Sequence, residues 1–223
     1  PLIKSACELA RLTGEDHPTR FGSNCFLQGL ELAEILSELN LDAESLAAAI
    51  VYSAAKNANL PTEDIAAELN KNVAKLTEGV LQLGMINLSR QKPQKQSTQQ
   101  IDNVRKMILA MVQDVRVVVI KLAERLSMMR TLKNFSKEFR QHIAEETMEI
   151  FAPLANRLGL HQIKWELEDL AFLNLDPDTY KNIANHLDEK RSDRDHRVEH
   201  IVNTLNKNLK EHQIQATVYC RAK

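Results

Sequence analysis

The sequence has 223 residues and 43% apolar side chains, enough for one large domain or two small ones. The net charge of −1 gives neither a general basic field for nucleic acid nor the acidic excess that favours disorder. Aromatic residues make up only 4% and glycine and proline number six each, which favours long helices with an aliphatic core over many short strands.

Apolar residues in the first half of the chain recur with helical spacing. Those between 32 and 39 lie at i, i+3, i+4 and i+7, and those between 104 and 111 repeat this pattern. Thr62 is a predicted N-cap because acidic residues follow it in the first turn. The stretch 89–100 is rich in Gln, Lys and Ser without any acid, and we interpret it as a solvated, mobile loop.

The segment 115–126 admits two interpretations. The run of Val and Ile residues from 115 to 120 has strand propensity. However, Val119, Leu122 and Leu126 continue with helical spacing. We predict a buried helix.

Further helices are predicted beyond residue 130. Ser136 can cap a helix whose end should be kinked by Pro153 and closed by Gly159. Apolar residues between 163 and 170 mark the next helix. Asp176-Pro177 begins another, with proline at its first position.

The end of the chain has a different pattern. A last helix carries apolar residues between 198 and 209, and apolar residues then alternate between 214 and 220, which predicts a strand. A single strand is not stable by itself. We therefore expect the sequence to stop inside a second, sheet-containing domain, and its start at Pro1 rather than at Met also suggests an excised piece.

The cysteines and the lengths of the apolar runs indicate the cellular compartment. Cys7, Cys25 and Cys220 are odd in number and far apart, so we expect free thiols in a reducing cytoplasm rather than a disulfide framework. No apolar run approaches the roughly 20 residues of a membrane span, and no signal peptide begins the chain. A cytoplasmic location without membrane contact is predicted.

One short pattern is similar to a zinc site. His196 and His200, with Glu199, match the HxxEH arrangement in which two imidazoles share zinc and the glutamate acts as a base. On a helical wheel, both histidines lie away from the apolar stripe, beside the charged stretch 189–195. We interpret the pattern as a solvated helix face, and one tightly bound zinc ion per chain would contradict this interpretation.

Longer segments carry more specific information. They are KLAERL at 121–126 with MRTL at 129–132, APLANRLG at 152–159, WELEDL at 165–170 and VYCRAK at 218–223. In this order they resemble the long RelA/SpoT family of (p)ppGpp synthetases and hydrolases. The resemblance covers roughly residue 20 to the end.

This resemblance implies a domain order and a set of partners. In the family, an all-helical HD-type domain removes the 3′-pyrophosphate of (p)ppGpp with Mn²⁺. A following mixed-sheet domain, which uses Mg²⁺, transfers pyrophosphate from ATP to GTP or GDP. Further domains, absent from this sequence, contact the ribosome and deacylated tRNA.

The departures from the family pattern fall on the hydrolase site. Active members have His at 28, His-Asp at 52–53, Glu-Asp at 56–57 and Asp at 124. This sequence instead has Gln28, Tyr52, Ser53, Lys56, Asn57 and Glu124. Mn²⁺ prefers carboxylate, imidazole and water ligands, so an amide, a neutral phenol and a hydroxyl are poor substitutes, and a lysine adds repulsion. We expect no metal ion in this chain and no (p)ppGpp hydrolysis.

The loss of these ligands resembles the synthetase-only RelA branch. We predict an all-α, HD-like helical bundle over 1–157 and a helical linker over 158–190. The first helix and strand of a truncated α+β synthetase domain should follow over 191–223. The expected function is structural and regulatory toward that synthetase domain.

The resemblance also implies nucleotide contacts. Arg221 and Lys223 match the residues of the family's GRxKH motif that contact ATP phosphates, although Cys220 replaces the glycine. Arg20 and Thr131 match positions near the guanine site, but a surface cation and a helix-end residue are the favoured interpretations. Two alternatives stay open: a divergent metal-dependent hydrolase that works through Glu124, and a module that senses a guanine nucleotide.

Overall fold

The chain is helical in the parts that the structure describes. The structure, a computed structural model, describes residues 1–19, 23–84, 114–212, 214, 216 and 218, and only the backbone of 188–197 and 199. The helices are α1 (Leu2–Gly14), α2 (Cys25–Glu38), α3 (Ala43–Asn57), α4 (Thr62–Glu68), α5 (Lys71–Gly84), α6 (Val115–Thr131), α7 (Lys137–Glu146), α8 (Ala152–Arg157), α9 (His161–Leu175) and α10 (Pro177–Glu211). A 3₁₀ turn, Leu132–Asn134, follows α6, and a π-helical turn, Thr147–Phe151, joins α7 to α8. The predicted all-α class is confirmed.

The chain divides into two compact units, Pro1–Leu175 and Asp176–Lys223. In the first, α3 packs against α1, α2 and α5, while α6 packs against α2, α5 and α9. Every residue from 47 to 54 on α3 is buried, and four of these eight are alanines, so neighbouring helices can approach closely. Helix α3 is therefore central to the aliphatic core.

Three side-chain caps fix where the helices around α3 begin. Asn24, Asp42 and Asp114 precede α2, α3 and α6, and each accepts a hydrogen bond from a backbone amide two or three residues further on, at 2.8, 2.8 and 3.0 Å. Such caps satisfy amides that the first helical turn leaves without partners. They set the register of the three helices that carry the site described below.

The prediction of a buried helix at 115–126 is confirmed by α6, and the predicted cap at Thr62 is wrong. Helix α4 begins at Thr62 itself, and the carbonyl of Pro61 accepts from the amide of Ile65 at 3.3 Å. Because Thr62 already has a helical backbone, its hydroxyl is not in the cap position.

The helix expected between Ser136 and Gly159 is interrupted before its proline. Ser136 caps α7 as predicted, but the π-helical turn precedes Pro153. Proline has no N–H for the carbonyl four residues earlier, so a wider turn forms there. Gly159 closes α8 as predicted, with φ of +74°, and the amide of Leu160 donates to the carbonyl of Ala155 at 2.9 Å.

Two helices were predicted between residues 177 and 209, but one continuous helix, α10, spans this region. Asp176 caps it, with Pro177 at its first position, as predicted. The charged middle of α10 has no apolar period, so the pattern could not show continuity. The prediction of a strand at 214–220 lies largely outside the described residues; positions 214, 216 and 218 belong to no strand.

Other predictions are not tested by the structure. The segments 89–100 and 104–111 lie outside the described residues, and the boundaries at 157 and 190 stay predictions. No helix in the described ranges has the length and apolarity needed to cross a membrane.

Candidate functional site

The candidate site lies where α2 packs closely against α3. A Cβ atom on Gly29 would lie 2.2 Å from the carbonyl oxygen of Ile50, so only glycine allows this approach. Next to this contact, Ser53 Oγ donates to Gln28 Oε1 at 2.6 Å, and Asn57 Nδ2 donates to the Ser53 carbonyl at 3.1 Å. Three of the six predicted positions therefore form one hydrogen-bonded group between α2 and α3.

The other three predicted positions also come together: Tyr52 and Lys56 on α3 contact the buried carboxylate of Glu124 on α6. Lys56 Nζ lies 2.5 Å from Glu124 Oε1, and the Tyr52 hydroxyl donates to the same oxygen at 3.0 Å. Lys121 Nζ lies 2.5 Å from Glu124 Oε2. Both oxygens of Glu124 thus have a lysine partner. We call Tyr52, Lys56, Lys121 and Glu124 the lysine–glutamate cluster.

Charge and burial fix the protonation of this cluster. Burial alone would raise the pKa of Glu124, but the charges and hydrogen bonds of Lys121 and Lys56 outweigh it and lower the pKa to about 2. Burial, with the charge and hydrogen bond of Glu124, raises the pKa of Tyr52 well above its ordinary value, so the phenol is neutral. Burial lowers the pKa of Lys121, and Glu124 opposes this shift. One carboxylate, kept ionised by the charges of Lys121 and Lys56, therefore faces two lysine side chains.

We predict that Glu124 makes the domain sensitive to acid. Its folded pKa of about 2 lies below its ordinary value of 4.5, so its contribution is fully present above 4.5 and is lost as the pH falls toward 2. Linkage gives a loss of roughly 3 kcal/mol across this window. The free energy of unfolding, measured by urea titration across this range, should fall less steeply in Glu124→Gln. Equal pH dependence in the two proteins would contradict the assignment.

Lys121 is the member of the cluster that sequence reasoning missed. In the sequence, Lys121 is the first residue of the KLAERL segment, and no role was predicted for it. Its side chain is 8% exposed and lies three residues before Glu124 on the same helix. The available signal was a lysine inside an otherwise apolar helical run, since a buried ammonium group needs an acidic partner.

Of the four residues predicted to contact a nucleotide, two near the guanine site and two at the ATP phosphates, the structure describes only Thr131. The Thr131 hydroxyl donates to the carbonyl of Met128 at 2.9 Å, so it already has a partner within α6. Arg20, Arg221 and Lys223 lie outside the described residues.

The HxxEH pattern lies on α10. Its His200 is exposed, and the side chains of His196 and Glu199 lie outside the described residues. The interpretation as a solvated helix face stays a prediction.

The residues at the family's metal position do not fit a divalent ion. Of the six positions, only Glu124 carries a carboxylate, and both of its oxygens are bound to lysines. The described residues contain no group of three or more His, Cys, Asp or Glu side chains that could hold a metal. The amide of Gln28 and the hydroxyl of Ser53 bind each other. Mn²⁺ or Mg²⁺ would have to displace ammonium groups from the single carboxylate, which both coordination chemistry and charge disfavour.

Comparisons with known proteins match this architecture. An HD domain is recognised over residues 6–161. The chain is 44% identical over 198 residues to the GTP pyrophosphokinase of Escherichia coli K12, covering 88% of this chain and 26% of that protein. It is 36% identical over 222 residues to the guanosine-3′,5′-bis(diphosphate) 3′-pyrophosphohydrolase of Aquifex aeolicus, covering 99% of this chain and 31% of that protein. A probable enzyme of the latter name from Synechocystis is 41% identical over 184 residues, covering 82% of this chain and 24% of that protein.

The helical bundle and these matches define the class: the chain belongs to the HD-domain family. The resemblance to RelA/SpoT-type (p)ppGpp synthetases and hydrolases is confirmed by the named relatives. The chain spans about a quarter of the length of the first of them. Because the relatives include both pyrophosphokinases and pyrophosphohydrolases, the choice between these activities depends on the site.

Proposed function

We propose that this chain is a catalytically inactive (p)ppGpp-hydrolase-like module of a GTP pyrophosphokinase. The observation that carries the proposal is the pair of lysines on the two oxygens of Glu124. Metal-dependent hydrolysis needs an ion that activates water and several ligands that hold it. Here the one carboxylate among the predicted positions is already neutralised by protein side chains, so the metal-activated nucleophile has no site.

The proposed role of the module is structural and regulatory toward a synthetase domain. A continuous apolar core, with fully buried Leu32, Ile50, Leu122 and Leu167, is retained although the ligand set is not. A domain that keeps its packing without its chemistry can still bind and position a neighbour. The parent enzyme would use Mg²⁺, ATP and GTP or GDP in the cytoplasm, and would receive its signal from the ribosome and deacylated tRNA.

The proposal of inactivity is tested by (p)ppGpp turnover with the purified chain and Mn²⁺. We expect no release of pyrophosphate from protein that circular dichroism shows to be folded and helical. The Aquifex aeolicus relative, named as a 3′-pyrophosphohydrolase, serves as the positive control in the same buffer. Turnover that disappears in Glu124→Ala would contradict the proposal and support a divergent hydrolase.

The regulatory role needs a separate test in the full-length parent. A variant that lacks residues 1–157 should show altered basal or stimulated synthesis of (p)ppGpp. Unchanged synthesis by a well-folded truncated enzyme would contradict this role.

A further inference from the structure

The lysine–glutamate cluster holds more positive than negative charge. Two ammonium groups face one carboxylate, and Lys56 and Lys121 each take one of its oxygens. A divalent ion added to this place would increase the excess positive charge and would have to displace both lysines. The cluster therefore repels divalent metal ions, which a carboxylate on its own would attract.

The cluster also connects distant parts of the chain. Tyr52 and Lys56 are on α3, 72 and 68 residues before Glu124 on α6. Near the beginning of both helices, Arg116 lies 3.4 Å from Glu44. The contacts to Glu124 join the C-terminal half of α3 to α6, where the two helices contribute the centre of the core.

A buried carboxylate requires compensation wherever it occurs. Glu124 is 7% exposed, and an uncompensated charge at such a place is strongly destabilising. A bound metal would supply compensation that depends on metal concentration, because ligand binding stabilises the folded state by mass action. A lysine on the same chain supplies it at every metal concentration.

We propose that Lys56 and Lys121 are built-in counter-cations of Glu124 at the place of the family's metal ion, with Lys56 joining α3 to α6, so that the domain folds without metal and rejects divalent ions. The proposal rests on the proposed absence of a hydrolase metal site and adds a structural role for two named lysines. Tyr52 supports the arrangement, since its neutral hydroxyl donates to the oxygen that Lys56 also contacts.

The test is thermal unfolding of the chain in EDTA and in excess Mn²⁺. We expect the same Tm in both solutions for the unsubstituted chain. Lys56→Met should lower the Tm by several degrees, because Glu124 then keeps only Lys121. A Tm that falls on addition of EDTA, or that is unchanged by Lys56→Met, would overturn the proposal.

A reversal of charge provides the complementary experiment. Lys56→Glu combined with Lys121→Met places two carboxylates beside the Tyr52 phenol and removes both ammonium groups. The Tm of this double variant should be lower than that of the parent, should rise with Mn²⁺ and should fall again with EDTA. Lys75→Glu, at an exposed position on α5, is the control for added negative charge and should show no metal response. A double variant that ignores Mn²⁺ would contradict the proposal.

If the double variant does not fold, Glu124→Gln tests the role of Lys56 instead. Glu124→Gln should lower the Tm less in the Lys56→Met background than in the parent, because the two residues act as a pair. Equal effects in both backgrounds would overturn the lysine role. Hydrolysis of (p)ppGpp by the unsubstituted chain would contradict the proposed function instead. The failure of the lysine role and the failure of the proposed function are therefore distinguishable.

Discussion

Replacing Gly29 by alanine should lower the free energy of unfolding by about 3 kcal/mol or more. The added Cβ would lie 2.2 Å from the carbonyl oxygen of Ile50 and 2.9 Å from its carbonyl carbon. These are backbone atoms of the central helix α3, so relief requires α2 and α3 to move apart. That movement would also lengthen the bond between Ser53 and Gln28. Urea unfolding of the purified chain measures the loss.

Gly79→Ala is the matched control for this prediction. Its Cβ would lie 2.9 Å from Val117 Cγ2, the end of a side chain rather than backbone. Because the contact is with a side chain and not with backbone, and because alanine favours the helix, the loss of stability should be smaller than for Gly29→Ala, at about 1–2 kcal/mol. Similar losses for Gly29→Ala and Gly79→Ala would show that the approach of α2 to α3 is not the limiting contact.

Glu124→Ala should lower the free energy of unfolding by about 4 kcal/mol, since removing one partner of a buried ion pair leaves the other charge uncompensated. Lys121, 8% exposed, would lose its acidic partner, and the Tyr52 hydroxyl would lose its acceptor. The loss should be measured at neutral pH, where Glu124 is ionised.

The matched control for Glu124→Ala is an exposed ion pair. Glu166 accepts two hydrogen bonds from Arg130, at 2.6 and 2.8 Å, but their side chains are 35% and 45% exposed. Glu166→Ala should therefore cost at most about 1 kcal/mol. If it cost as much as Glu124→Ala, burial would not be what makes the lysine–glutamate cluster important.

The helical bundle was largely predictable because its helices carry strong local signals. The spacing of Val119, Leu122 and Leu126 outweighed the strand propensity of the preceding valines, and α6 is a helix. Local signals failed where tertiary structure or backbone chemistry decides. The charged middle of α10 carries no apolar period although the helix continues through it, and a π-helical turn precedes Pro153 where a kink at the helix end was expected.

The site was predictable in position more than in chemistry. Comparison with the family pattern located Gln28, Ser53 and Glu124, and the structure places them on adjoining helices. The family pattern shows which metal ligands are replaced at each position. It could not show that Lys121, which the motif itself contains, would be buried beside Glu124 and take its second oxygen, because that burial depends on the helices that pack against α6.

A calorimetric titration of the folded chain with Mn²⁺ tests the central claim most directly. We expect no saturable binding, since the only carboxylate at the predicted metal position is bound by Lys56 and Lys121. Tight binding of one Mn²⁺ per chain that is lost in Glu124→Ala would contradict the inactive-site interpretation. It would instead support the alternative of a divergent metal-dependent hydrolase.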